Sequence, residues 1–250
     1  MPTAFFDKEL YRLRETLAQM GGAVERMLDS ALEALRANDA AAADQTILLD
    51  KAINDYDNRI TNKAILLIAT NQPVAGDLRF LAAALRLAAE LERIGDLSAN
   101  LCRRTRALAS VGVPAPFPEE LDELAVLARR MFGGALDALA NRNPARAREI
   151  LALDDRADEL NRRIRQNMIE EIARDGPKIR WGLEIIYTAA HLERLADHAT
   201  NLSEEVIYIY SGRNVRHCAG DSPPGGEGRP ESRPETLAEG NRLDREDLED

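Results

Sequence analysis

At 250 residues the chain is long enough for one large domain or two of about 100 residues each. Hydrophobic residues make up 45% and aromatics only 4%, and the dominance of Ala, Leu, Glu and Arg favours helices and argues against an all-β fold. The formal charge of −10 does not suggest a nucleic-acid binder, which needs a basic face.

Asp7 is placed to N-cap a long first helix. Leu10, Leu13, Leu17, Met20, Val24, Met27, Ala31 and Leu35 recur at steps of three and four, a heptad-like apolar seam. Gly21-Gly22 interrupts it, a site for a kink or a close helix contact. Asn38-Asp39 breaks the pattern. A second helix follows, with Leu49, Ile53, Tyr56, Ile60, Ala64 and Leu67 as its seam and Asp50, Asn54 and Asp57 beside it. Asn71-Gln72-Pro73 stops it, because proline cannot continue a helix. A third helix runs from about Asp77, read as its N-cap, to Ala109.

Val113-Pro114-Ala115-Pro116-Phe117-Pro118 is a stiff connector, and after it the pattern returns. Leu121, Leu124, Met131, Ala135 and Leu139 echo Leu17, Met20, Met27, Ala31 and Leu35 at a shift of 104 residues. Leu153, Ala157, Leu160, Ile164 and Met168 echo Leu49, Ile53, Tyr56, Ile60 and Ala64 at the same shift. After the stop at Asp175-Gly176-Pro177, Arg180 and Trp181 echo Arg79 and Phe80 at a shift of 101, so the second inter-helix connection is three residues shorter. This is an internal duplication of a three-helix unit. Short loops between long amphipathic helices make the helices antiparallel neighbours. The expected fold is all-α: two tandem three-helix bundles, at 5–112 and 117–212, followed by a disordered acidic tail at 219–250. From Ala219 to Asp250 ten acids face four arginines, a net of −6, with too little apolar surface to offset the entropy of ordering.

Two cysteines, Cys102 and Cys218, do not make a disulfide framework and fit a reducing compartment. Met1-Pro2-Thr3 leads into charged, amphipathic sequence without the apolar core of a signal peptide. The longest apolar run, Ala64 to Ala69, falls far short of the ~20 residues a membrane span needs. These features read as a cytoplasmic chain.

The candidate site lies on the third helix of each unit. Glu92-Arg93-Ile94-Gly95-Asp96 with Asn100 and Leu101 returns as Glu193-Arg194-Leu195-Ala196-Asp197 with Asn201 and Leu202, displaced by 101 residues. Residues four apart on a helix are neighbours. Glu92, Asp96 and Asn100 therefore form one oxygen-bearing stripe, and Glu193, Asp197 and Asn201 another. Such like-charge pairs usually mark nothing more than a solvated helix face. Here the stripe occurs twice, and the second helices carry further acids, Asp50 and Asp57 in one unit and Asp154, Asp155 and Asp158 in the other. The Lys or Arg that would neutralise a stripe at i+4 is replaced by Asn100 and Asn201. Converging carboxylates without base partners are protonated, pushed apart, or held by cations. Oxygen-only sets suit Mg, Mn, Fe or Zn. His191 and His198 are candidate nitrogen ligands, set against the plainer reading of surface or hydrogen-bonded histidines. Arg93 and Arg194 point about 100° from the stripes, toward a partner surface or an inter-repeat ion pair.

The repeated Glu-Arg-(Ile/Leu)-x-Asp-x-x-x-Asn stretch, the Gln72-Pro73-Val74-Ala75-Gly76-Asp77-Leu78-Arg79 string and the tandem three-helix repeat together resemble the PhoU family of phosphate-uptake regulators, over roughly residues 5 to 212. The resemblance implies a cytoplasmic, often dimeric, non-enzymatic adaptor. It implies as partners the ATPase of the phosphate ABC transporter and a phosphate-sensing membrane histidine kinase, with the starvation response restrained when phosphate is plentiful. It reaches the membrane only through those partners. Some members hold multinuclear metal clusters through Glu/Asp-x-x-x-Asp motifs. That implies metal ligands at Glu92 and Asp96, at Glu193 and Asp197, and at Asp154 and Asp158. In the first repeat the helix-two pair is Asp50 and Asn54, a departure that weakens the first cluster unless Asp57 substitutes. The tail falls outside the family pattern.

Two rival readings stand beside this one. A carboxylate-bridged helical metalloenzyme wants Glu-x-x-His pairs on facing helices. Glu90 leads instead to Arg93, Glu184 to Tyr187 and Glu205 to Tyr208. A metal-free helical scaffold with solvated acids is the other.

Overall fold

The computed structural model describes residues 4–112 and 117–212. The expected disordered tail at 219–250 and the middle of the proline connector lie outside these described residues. Among them, regular structure is helical throughout. In chain order the elements are α1 (Ala4–Ala37), α2 (Ala40–Ile47), α3 (Asp50–Asn71), α4 (Ala75–Val111), α5 (Glu119–Ala140), α6 (Pro144–Leu151), α7 (Asp154–Arg174) and α8 (Ile179–Ser211).

Each repeat has its three long helices, and each adds a two-turn helix between the first and second. The break at Asn38-Asp39 and its counterpart in the second repeat, Asn141–Pro144, start these extra helices. Asp39 accepts from the amides of Ala41 and Ala42 at 2.9 and 3.0 Å. Asn143 accepts from Ala145 and Arg146 at 3.1 and 3.0 Å. These are N-caps, which satisfy amides that the first turn leaves without partners. Leu49 stands at the start of α3 and is 44% exposed, so it is not part of the α3 seam. Asp77 lies within the first turn of α4, whose N-cap is Val74. In the second repeat a single 3-10 turn, Gly176–Lys178, stands where the first turn of α4 would be. Gly112 and Gly212, at φ 66° and 71°, close α4 and α8 in the left-handed conformation that glycine adopts without strain.

The α1 seam is buried along its whole length. The helix runs without interruption through Gly21. A Cβ there would lie 2.9 Å from Leu136 Cδ2, so the glycine gives α5 room against α1. The packing does not stop at the repeat boundary. One continuous core takes Leu13, Met27, Leu87 and Leu91 from the first half and Phe132, Leu160, Leu192 and Leu195 from the second. Burying each such side chain contributes roughly 1.5–3 kcal/mol.

Down the middle, α4 packs against α8. Arg86 bonds Glu205 at 2.7 Å, Asn201 donates to Glu90 at 3.2 Å, and Arg104 bonds Glu184 at 3.0 Å. As the residue number climbs on α4 its partner's falls on α8, so the two helices are antiparallel. The two acid stripes therefore run in opposite directions along this central pair. α3 flanks one and α7 the other.

Candidate metal centre

In the second repeat α7 and α8 bring four carboxylates together. Asp154 and Asp158 are one turn apart on α7, and Glu193 and Asp197 one turn apart on α8. One oxygen each from Asp158, Glu193 and Asp197 lies within 4.8 Å of the others. Asp154 is anchored beside them by the Thr200 hydroxyl, which donates at 3.1 Å. None of the four makes an ion pair with Lys or Arg among the described residues.

The electrostatics follow from that crowding. Burial raises the Asp154 carboxyl above its ordinary value; the Thr200 hydrogen bond opposes this, and Asp158 and Asp155 add to it. Burial also raises Glu193, helped by Asp158 and opposed by Arg194 and by a hydrogen bond from Asn161. Asp197, although exposed at the surface of the cluster, is displaced furthest, to about 6, by partial desolvation of its carboxyl and then by Glu193, Asp154 and Asp158, with His198 opposing. Each shift says that an added negative charge is resisted there. Protons relieve this crowding at low pH, and a hard cation would relieve it at neutral pH.

The first repeat builds a parallel but looser set. Asp50 and Asp57 stand on α3, and Glu92 and Asp96 on α4. Gly95 brings these helices together, since a Cβ there would lie 3.0 Å from Ile53 Cδ1. Burial raises the Glu92 carboxyl, with Asp96, Asp57 and Asp50 adding to the shift and Arg93 opposing it. Burial and then Asp96 raise Asp50, against Asn54 and Arg103. Burial raises Asp57. Asn54 donates to Asp50 at 3.2 Å. Arg93 curls back onto its own stripe, 3.6 Å from Glu92 and 3.5 Å from Asp96. Among the described residues it pairs with its own stripe and with no acid of the other repeat, and its side chain stays 63% exposed. Among the described residues, a triple of ligand atoms within 4.8 Å forms only in the second repeat.

The 104-residue shift explains the difference. Asn54 corresponds to Asp158, and Asp57 to Asn161. Each helix carries one acid and one amide at these two positions, in opposite order. In the second repeat the acid completes the triple and the amide holds Glu193. In the first, the amide takes the place in the triple and the acid lies almost a turn further along.

Neither histidine joins the carboxylate triple. His198 Nδ1 lies 2.7 Å from Glu90 on α4, which also accepts from Asn201. His191 Nδ1 is buried with no hydrogen-bond partner among the described residues. Burial, Arg104 and Arg194 lower its pKa, which favours the neutral ring. The sequence reading missed Glu90, Asn161 and Thr200. The repeat register marks Asn161 as the counterpart of Asp57, but Glu90 has no acid counterpart, since His191 stands there.

With this geometry in view, comparison with known proteins is direct. Residues 17–105 and 121–206 each match the family model described as the PhoU domain. A phosphate-specific transport system accessory protein PhoU homolog from Rhizobium meliloti is 35% identical over 207 residues, covering 83% of this chain and 87% of its own. PhoU homolog 1 from Thermotoga maritima is 30% identical over 223 residues, 89% of this chain and 96% of that one. The crystal structure of PhoU from Pseudomonas aeruginosa superposes with a TM-score of 0.81 at 31% identity, covering 83% of this chain and all of that one. The phosphate transport system regulatory protein PhoU from Streptococcus pneumoniae superposes with a TM-score of 0.77 at 28% identity over 84% of this chain and 99% of its own.

Proposed function

The chain belongs to the PhoU family, and from that premise we propose that it is a non-enzymatic regulator of phosphate uptake whose bundle is completed by carboxylate-held metal ions. The printed names of its relatives, accessory or regulatory proteins of phosphate transport, support the first half of this reading. In its finer form the protein is a cytoplasmic adaptor, active as a homodimer. It docks the ATPase of the phosphate ABC transporter and a phosphate-sensing histidine kinase, and restrains the starvation response when phosphate is abundant. No described helix is long and apolar enough to cross a membrane, so contact with membrane complexes runs through protein surfaces.

The observation that carries the second half is the carboxylate triple of Asp158, Glu193 and Asp197. The donor set fits a hard or borderline cation such as Fe, Zn, Mn or Mg: it is all oxygen, crowded, and without paired bases. Asp154 belongs to the same site, and Asp50, Asp57, Glu92 and Asp96 form its weaker counterpart. Bound metal supplies positive charge that ties α7 to α8, and α3 to α4, and so stiffens the faces that partners meet. A pull-down of full-length protein with the transporter ATPase and the kinase, at high and low phosphate, tests the adaptor role. Retention of both partners supports it, and indifference to both at either phosphate level contradicts it.

A further inference from the structure

The molecule also carries a feature that the acid clusters do not explain. A cavity of about 470 Å³ opens where α1, the start of α4 and the ends of α5 and α8 meet. Its apolar wall includes Ala18, Leu136 and Leu139, and its cationic groups are Arg14 and Arg142. The Arg14 guanidinium carbon lies over Phe80, 3.7 Å from the ring centroid, and the same group hydrogen-bonds Tyr210, a neutral partner that leaves its charge uncompensated. Neither arginine makes an ion pair with a carboxylate among the described residues. Burial and the nearby charge of Arg142 both lower the pKa of Arg14, while Tyr210 and Asp77 oppose them. Of the two acids that also line the cavity, Glu25 is held by Arg129 at 3.0 Å, and Glu15 is exposed.

Arg142 sits at φ 53°, a left-handed conformation that is strained for an arginine. Its counterpart in the first repeat is Asn38 at φ 50°, the residue type that tolerates this backbone. The rest of the counterpart position differs in the same way. Pro118 stands where Arg14 would be, and Arg36, which lies nearby, is neutralised by Asp122 at 2.6 Å. Two unneutralised guanidiniums over an apolar wall thus occur at only one of two related positions. A volume of this size falls in the range of small-molecule sites.

We propose that this cavity binds a small organic anion, a phosphate- or carboxylate-type head on a flat apolar body, with the head between Arg14 and Arg142 and the body against Leu136, Leu139 and Ala18. Two cations that repel each other are both relieved by one anion, and the leucine wall selects against a bare inorganic ion. The site is separate from the acid clusters and does not depend on their metal.

The test is a fluorescence titration of the full chain, with and without chelator, using three probes. Anilinonaphthalene sulfonate supplies head and body, N-phenylnaphthylamine the same body without charge, and inorganic phosphate the head alone. The sulfonate is expected to fill one saturable site. The neutral body and inorganic phosphate are each expected to bind at least about ten-fold more weakly, the loss that follows from removing a charge-assisted contact or the apolar one. Arg14→Gln and Arg142→Gln are expected to weaken the sulfonate by about the same factor, and Arg36→Gln to leave it unchanged. Arg142 is exposed, so its variant keeps the test sound if Arg14→Gln loosens the fold. The proposal is overturned if the sulfonate shows no saturable site, if the neutral body binds as tightly, or if both arginine variants bind like the parent.

Discussion

The two halves of the chain place four carboxylates each on matching helices, yet only one half gathers three of them within ligand distance. In the second repeat Asp154, Asp158, Glu193 and Asp197 face one another without a base between them. In the first, Asn54 spends its amide on Asp50, and Arg93 lies across Glu92 and Asp96. The halves share the same order of long and short helices, and the difference at the acids traces to side chains. It rests on two positions of α3 and α7 where acid and amide are exchanged and on an exposed arginine that lies against the acids in one half. A duplicated backbone therefore supplies two scaffolds, and single residues set how much uncompensated charge each holds.

The largest effect bears on what the halves share. Leu91 and its counterpart Leu192 are both fully buried in the common core. Truncating either to Ala is expected to cost about 2–5 kcal/mol and to lower one melting transition for the whole body. A calorimetric scan showing two separated transitions would break the picture of a single core.

The next prediction converts one half toward the other. Asp158→Asn removes the acid that completes the second triple and is expected to weaken metal there by at least about ten-fold, comparable to losses known for supporting residues around metals. Asn54→Asp adds the missing acid to the first half and is expected to strengthen its binding. Isothermal titration of metal into chelator-stripped protein reads both. Equal affinity in Asp158→Asn and parent would break the comparison, and a gain in Asn54→Asp sharpens it.

A third prediction concerns pH. Asp197 holds its proton up to about 6 in the folded chain, against an ordinary value of 3.8. Folding takes up a proton between those limits, so this group's stabilisation of metal-free protein is fully present below the lower value and is lost as the pH rises through the upper one. Relative to Asp197→Asn, metal-free parent is expected to melt lower at about pH 7 than at about pH 4.5. Bound metal is expected to cancel that loss at neutral pH. A parent–variant difference that does not change with pH would remove the electrostatic argument.

The smallest effect is that of Arg93. Its ion pairs are largely exposed and contribute about 0–1 kcal/mol. Arg93→Ala is therefore expected to leave stability nearly unchanged while strengthening metal binding in the first repeat. Arg194→Ala, whose residue makes no ion pair with the second stripe, is expected to change metal binding less.

Much of this was legible in the chain itself. The seam residues of α1 and the 104- and 101-residue shifts predict the duplicated helices, because apolar periodicity reports which face is buried. The helix ends at Asn38-Asp39 and at Pro73 follow from local backbone chemistry. The short helices α2 and α6 were not legible. They bury only Ala43 and Thr46, or Ala147 and Ile150, which is too little to give a seam of its own. The eight candidate ligands fall on two facing helix pairs as the stripes imply. The roles of His198 and Arg93 do not follow from spacing, because each depends on the direction its side chain takes across helices. The single core could not be read from the repeats either, since pairing of α4 with α8 is a long-range contact that no local pattern encodes.

The account turns on whether the acids of the second repeat hold metal. The most direct measurement is elemental analysis of protein purified without chelator, parent beside Asp158→Asn. We predict metal bound to the parent and a clear drop in metal per chain in the variant. A parent free of metal, or a variant that retains the parent's full content, would contradict it.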